Sequence, residues 1–84
     1  MADRKYKWLT QVYTGAENQI KSDCNAIIFY NNGTIFCFVN SWPLAPGDRL
    51  ILGGNENEID TSLYTISFAG GGTNNLYVLR KYYV

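Results

Sequence analysis

The stretch 25–39, NAIIFYNNGTIFCFV, holds two apolar segments on either side of Asn31-Asn32-Gly33, and its reading decides the fold. Asn-Gly is the favoured pair for the central positions of a type I′ turn, because both need positive φ. The expectation is a β-hairpin with NAIIFY and TIFCFV as its arms. The run Ile35, Phe36, Cys37, Phe38, Val39 is apolar at every position, which in a strand implies cover on both faces and a central place in a sheet.

Working outward, YTISF at 64–68 alternates, with Tyr64, Ile66 and Phe68 on one face and Thr65 and Ser67 on the other, as a strand with one solvated face should. GGGTNN at 70–75 then reads as the tip of a second hairpin leading into LYVLRKYY. Between the two hairpins, Pro43 and Pro46 cannot donate ladder hydrogen bonds, so SWPLAPGD is expected to be a strand-breaking connection with a turn at Pro46-Gly47. RLIL resumes a strand before GGNENEID breaks it. Upstream, YKWLTQVY is a strand candidate, TGAEN a turn, and QIKSD too short to assign. Residues 1–22 are expected to form an N-terminal arm that pairs at the edge of its own sheet or reaches onto a neighbouring subunit, because Tyr6, Trp8, Leu9, Val12 and Tyr13 are too apolar for a free tail.

With 84 residues there is room for one domain, 1–84. Helical periodicity is hard to find, whereas short apolar segments bounded by turn residues recur along the chain. The fold class expected is all-β: a small antiparallel β-sandwich of six or seven strands, Ig-like or jelly-roll-like, with a small barrel as the alternative. No apolar run approaches the length that spans a bilayer and no signal-peptide pattern opens the chain, so a soluble, unprocessed protein is expected. Cys24 and Cys37 are expected to remain reduced, with Cys37 acting as a small buried hydrophobe.

Seven basic and seven acidic residues cancel, so the footprint of a nucleic-acid binder is missing. Arg4, Lys5 and Lys7 crowd one end, Arg80 and Lys81 the other, and Glu56, Glu58 and Asp60 form one acidic loop. That loop fails the EF-hand template, since counting from Asn55 puts Asp60 where glycine is needed and Ile66 where glutamate is needed. A looser oxygen-ligand site on Asn55 to Asp60 is conceivable, but a solvated acidic turn explains the same residues. The absence of histidine removes the commonest general base and the Ser-His and Cys-His pairs. No paired-carboxylate cleft is built by so small a domain. GGGTNN lacks the Lys-Ser/Thr ending of a P-loop, and Asn32-Gly33-Thr34 is explained by a turn without glycosylation. No catalysis, metal or cofactor is therefore expected.

The segments Pro43-Leu44-Ala45-Pro46-Gly47, Gly54-Asn55-Glu56-Asn57-Glu58-Ile59-Asp60 and Val78-Leu79-Arg80-Lys81 resemble small β-sandwich accessory proteins of tailed-bacteriophage virions, crAss-like phages included, over about half the chain. The resemblance implies a non-enzymatic structural part of a capsid or tail, located in the virion, present in many copies and docked on other virion proteins. Thirteen aromatic residues, seven of them Tyr, suit either a sandwich core or such a docking surface. The expected contact residues are Tyr6, Trp8 and Tyr13 in the arm, Trp42 in the proline-rich loop, and Tyr82 and Tyr83 at the end. Two alternatives stand beside this: a carbohydrate- or host-surface-binding module using Trp42, and a small nucleic-acid-binding barrel using aromatics beside Lys7, Arg80 and Lys81.

Overall fold

In the computed structural model, which describes residues 5–55 and 57–84, the chain forms β1 (Tyr6–Tyr13), β2 (Glu17–Lys21), β3 (Ala26–Asn31), β4 (Cys37–Val39), β5 (Trp42–Leu44), β6 (Arg49–Gly53), β7 (Leu63–Phe68) and β8 (Leu76–Tyr83). Two four-stranded antiparallel sheets result, ordered β1-β8-β3-β6 and β2-β7-β4-β5. Four of the pairings are β1 with β8, β2 with β7, β3 with β6 and β4 with β5. The chain is thus one long antiparallel ribbon, strands 1 to 4 against strands 5 to 8, wound so that successive pairs fall in alternate sheets. That is the jelly-roll arrangement, so of the expected sandwich types the jelly-roll one describes this chain. Among the described residues the strand count is eight rather than six or seven, because β2 and β5, absent from the sequence reading, are real strands.

Buried side chains from both sheets form the core. Ile27 and Phe29 of β3 and Leu76 and Val78 of β8 face Cys37 and Val39 of β4, Leu44 of β5, Ile20 of β2, and Tyr64 and Ile66 of β7. Phe29 and Tyr64 meet edge to face, centroids 5.1 Å apart, across the two layers. Every one of these side chains sits on one parity of its strand, as the two-residue period requires. β7 keeps the expected alternation, Tyr64 and Ile66 buried and Thr65 and Ser67 exposed.

The two expected hairpins do not form. NAIIFY lies in the first sheet and CFV in the second, and neither Asn32 nor Gly33 has positive φ. The segment 32–36 is a corner at which the chain passes from one sheet to the other, and GGGTNN is the matching corner between β7 and β8. They run side by side: the Asn32 N–H donates to the Asn75 carbonyl (2.9 Å), Thr34 to Thr73 (3.0 Å), and Ala69 to Phe36 (3.0 Å). The deciding residue is Asn31. Its buried amide donates to the carbonyls of Ile35 (2.8 Å) and Leu44 (2.9 Å), while its side-chain oxygen accepts the Gly33 N–H at 3.0 Å. These bonds favour the corner over the turn. Close approach also explains the glycines, since a Cβ at Gly33 would collide with the Thr73 carbonyl and one at Gly72 with Ile35 and Thr34.

The type I′ geometry occurs one hairpin later. Asn40 and Ser41, at φ 49° and 70°, close β4 onto β5. The Asn40 side chain binds this turn to β7 by accepting the Thr65 N–H at 2.8 Å. SWPLAPGD is accordingly not a break throughout. Pro43 lies within β5, opposite Phe38, at the non-hydrogen-bonded position where a missing N–H on an edge strand costs no ladder bond. The turn at Pro46-Gly47 is present, with Asp48 N–H on the Ala45 carbonyl at 2.9 Å and Gly47 at φ 88°, the type II form. β4 is central, between β7 and β5, but covered on one face only: Cys37 and Val39 are buried while Phe36 is exposed and Phe38 half-buried.

Candidate functional site

Successive residues of a strand point to opposite faces, so the outer face of the first sheet can be read from its register. Its rows are Val12, Tyr77, Tyr30 and Arg49; Thr10, Leu79, Ile28 and Ile51; then Trp8, Lys81 and Ala26; and lastly Tyr6 with Tyr83. This face is nearly as apolar as the one that fills the core. Val12 is 47% exposed, Ile51 58%, Trp8 40% and Tyr6 55%. A solvated sheet face normally alternates to polar residues, and the outer face of the second sheet, with Thr65 and Ser67 beside Phe38 and Pro43, goes further toward doing so.

Two aromatic clusters bound the apolar centre. At one end the Lys81 ammonium lies 4.3 Å from the Tyr6 ring centroid, 4.8 Å from Tyr83 and 5.8 Å from Trp8. This cation–π arrangement holds three rings around one charge, and Tyr6 and Tyr83 also meet edge to face at 6.0 Å. At the other end Tyr30 stacks on Tyr77 at 6.2 Å with the Arg49 guanidinium 5.7 Å from the Tyr30 centroid. At this second cluster Tyr30, Arg49 and Tyr77 line, with Ile28 and Leu79, a shallow depression of about 270 Å³.

The structure thus brings Tyr6, Trp8 and Tyr83 together and separates the other three expected contact residues from them. Tyr13 and Tyr82 are on the opposite parity and pack against the core. Trp42, 59% exposed on β5, stands at the open side of the sandwich above a groove of about 360 Å³ lined by Val39, Leu50, Leu52 and Tyr64. Ile28, Ile51 and Leu79 were not singled out by the sequence reading, which had Val12 as an apolar residue of the arm. For Ile28 and Leu79 the signal was NAIIFY and LYVLRKYY, which carry apolar residues on both parities.

The acidic loop is occupied with holding itself in place. The Asp60 carboxylate accepts the Tyr64 hydroxyl at 2.7 Å and the Ser62 N–H at 2.8 Å, and its backbone bridges to Cys24. Burial alone would raise its pKa, but the Tyr64 and Ser62 hydrogen bonds hold it below the usual carboxylate range. Burial and the bond to Asp60 push Tyr64 up to about 12. Glu58 contributes its backbone carbonyl to Asn25, and Glu56 lies outside the described residues, as does Arg4. Among the described residues no group of acidic, Cys or His side chains is placed to hold a metal. Cys24 and Cys37 are free and fully buried; burial raises both thiols, Cys37 to about 11. Among the described residues no helix is long and apolar enough to cross a membrane. No family model matches the chain, and no curated protein matches it.

Proposed function

We propose that this protein is a non-enzymatic assembly component, most consistent with a bacteriophage virion part that decorates the capsid or attaches to the tail. The observation that carries the assembly reading is the apolar outer face of the first sheet. With rises of about 3.3 Å and strand spacings of about 4.8 Å, strands of eight, eight, six and five residues span roughly 400 to 500 Å² of sheet plane. The side chains standing on that plane present more area still, which approaches the ~800 Å² that one partner contributes to a standard interface. The largest apolar patch on a typical monomer is roughly 300 to 600 Å² and is often functional, and the plane of this face falls in that range. The phage setting is supported by the sequence resemblance and by the use of jelly rolls in viral capsid domains; the architecture by itself assigns no role.

The test is native mass by light scattering on gel filtration over a range of concentrations. A mass above 9.5 kDa that Ile51→Lys returns toward the monomer is expected. A strict monomer at every attainable concentration refutes association through this face. A second reading, a carbohydrate-binding module, is favoured by the exposed Trp42 over its groove. It requires tryptophan quenching by oligosaccharides that Trp42→Ala abolishes.

A further inference from the structure

The two sheets have four edges, and three of them carry features that discourage pairing with another chain. β2 has an irregular register with Gln19 at φ 58° and is flanked by Glu17 and Lys21. β5 is three residues long and contains Pro43. β6 ends at Gly53 and is followed by Gly54, both at positive φ. The fourth edge, β1, has none of these. It runs eight residues in unbroken register with β8, without proline, glycine or an acidic residue, and with Lys7 as its one charge. Seven of its eight residues are exposed, so among the described residues little beyond Tyr13 on either of its faces is covered.

The phase of its hydrogen bonding is fixed. The Val84 N–H donates to the Lys5 carbonyl at 2.9 Å, one step beyond the Tyr6–Tyr83 pair. By antiparallel alternation the backbone groups of Lys7, Leu9 and Gln11 turn toward β8, while those of Tyr6, Trp8, Thr10 and Val12 turn outward. We infer that β1 is the seam of a two-fold dimer, pairing antiparallel with β1 of a second copy to make one continuous eight-stranded sheet. Centred on Leu9, this pairing sets Tyr6 opposite Val12 and Trp8 opposite Thr10 on the outer face, which are favourable aromatic to β-branched pairs. Lys7 falls opposite Gln11, so no like charges meet. The two apolar outer faces join into a single surface. The occupant is a second copy because the strand is complementary to itself in this register and needs no other sequence.

This inference rests on the assembly reading and adds its first step. Its test measures mass together with amide hydrogen exchange by NMR. A dimer of twice 9.5 kDa is expected, with the outward amides of Trp8, Thr10 and Val12 protected as strongly as those of Lys7, Leu9 and Gln11. Thr10→Pro removes one outward N–H from each copy and leaves the β8 ladder intact, so it is expected to raise the dimer Kd by about one to two orders of magnitude. Leu9→Glu is the independent variant, placing two carboxylates opposite each other across the axis; its dimer is expected to weaken at neutral pH and recover in acid. An oligomer with unprotected outward amides, broken by Ile51→Lys and untouched by Leu9→Glu, overturns the seam and leaves the assembly reading standing. A strict monomer overturns both.

Discussion

Replacing Asn31 with alanine tests the corner that distinguishes this fold from a pair of hairpins. Asn31 is 1% exposed, and besides its three side-chain bonds its backbone N–H donates to the Asp48 carbonyl (3.0 Å) and its carbonyl accepts the Gly47 N–H (2.8 Å). The backbone pair survives in the variant and the side-chain bonds do not. Three bonds at about 1 kcal/mol each, with the buried Leu44 carbonyl left without its side-chain donor, give a loss of about 3 to 5 kcal/mol. A domain of this size has a total of roughly 4 to 12 kcal/mol, so the variant is expected to be marginal, melting about 15 °C or more below wild type. Urea unfolding followed by far-ultraviolet circular dichroism measures the difference. Asn31→Asp adds a control: it keeps the acceptor for Gly33 but, when ionised, has no proton for Ile35 or Leu44, so it should be as damaging at neutral pH and partly recover in acid. A loss under about 1 kcal/mol for Asn31→Ala, the value of one ordinary bond, would show that the corner is held by something else.

Other expectations follow from the same contacts. Because the Asp60 pKa is lowered in the folded state, its contribution is present above the unfolded value of about 3.9 and is lost as pH falls through the folded value. Asp60→Asn should flatten the acid limb of a stability against pH curve. The Tyr64 pKa is raised to about 12, so its contribution holds below about 10 and fades as pH rises toward 12; Tyr64→Phe should remove that alkaline loss while forfeiting the Asp60 bond. Gly33→Ala should destabilise by about 1 to 3 kcal/mol, since the Thr73 carbonyl must move, whereas Gly15→Ala, with open space around it, should be nearly neutral in thermal unfolding. Trp8→Ala should weaken association with the circular dichroism melt little changed, because Trp8 is 40% exposed on the outer face; loss of folding would place it among residues that hold the sheet.

The sequence disclosed strands better than it disclosed their partners. β1, β7 and β8 were bounded closely because their termini coincide with turn residues, and alternation in YTISF gave the buried face of β7 correctly. The sheet assignment of β3 and β4 was not readable from Asn31-Asn32-Gly33, since the same triplet suits a type I′ turn or a corner. What decides between them is where the Asn31 amide finds carbonyls, and Leu44, thirteen residues on, supplies one of them. Asn40-Ser41 gave no strong turn signal because Ser seldom takes positive φ; there the Asn40 bonds to β7 hold the conformation. β5 was hidden by Pro43, whose exclusion from strands applies to central ladders and not to an outward position on an edge.

The proposed contact face was half legible for a related reason. Taking the aromatic residues of the arm, the proline-rich loop and the C-terminal end named Tyr6, Trp8 and Tyr83, which share the outer face, together with Tyr13, Tyr82 and Trp42, which do not, because residue type does not report which side of a pleat a side chain occupies. Parity does. Once Leu76, Val78 and Arg80 are known to face inward, Tyr77, Leu79, Lys81 and Tyr83 must face outward, and the register carries the same division across β3 and β1. A run that is apolar on both parities then admits two explanations: a strand buried within its own domain, or one buried on the second side by something else. TIFCFV suggested the first and β4 does not satisfy it, since Phe36 is exposed and Phe38 half-buried. NAIIFY and LYVLRKYY are adjacent central strands of a sheet whose second side has no covering layer among the described residues. Their outward Ile28 and Leu79 fit the second explanation, the cover being the partner that the assembly proposal supplies.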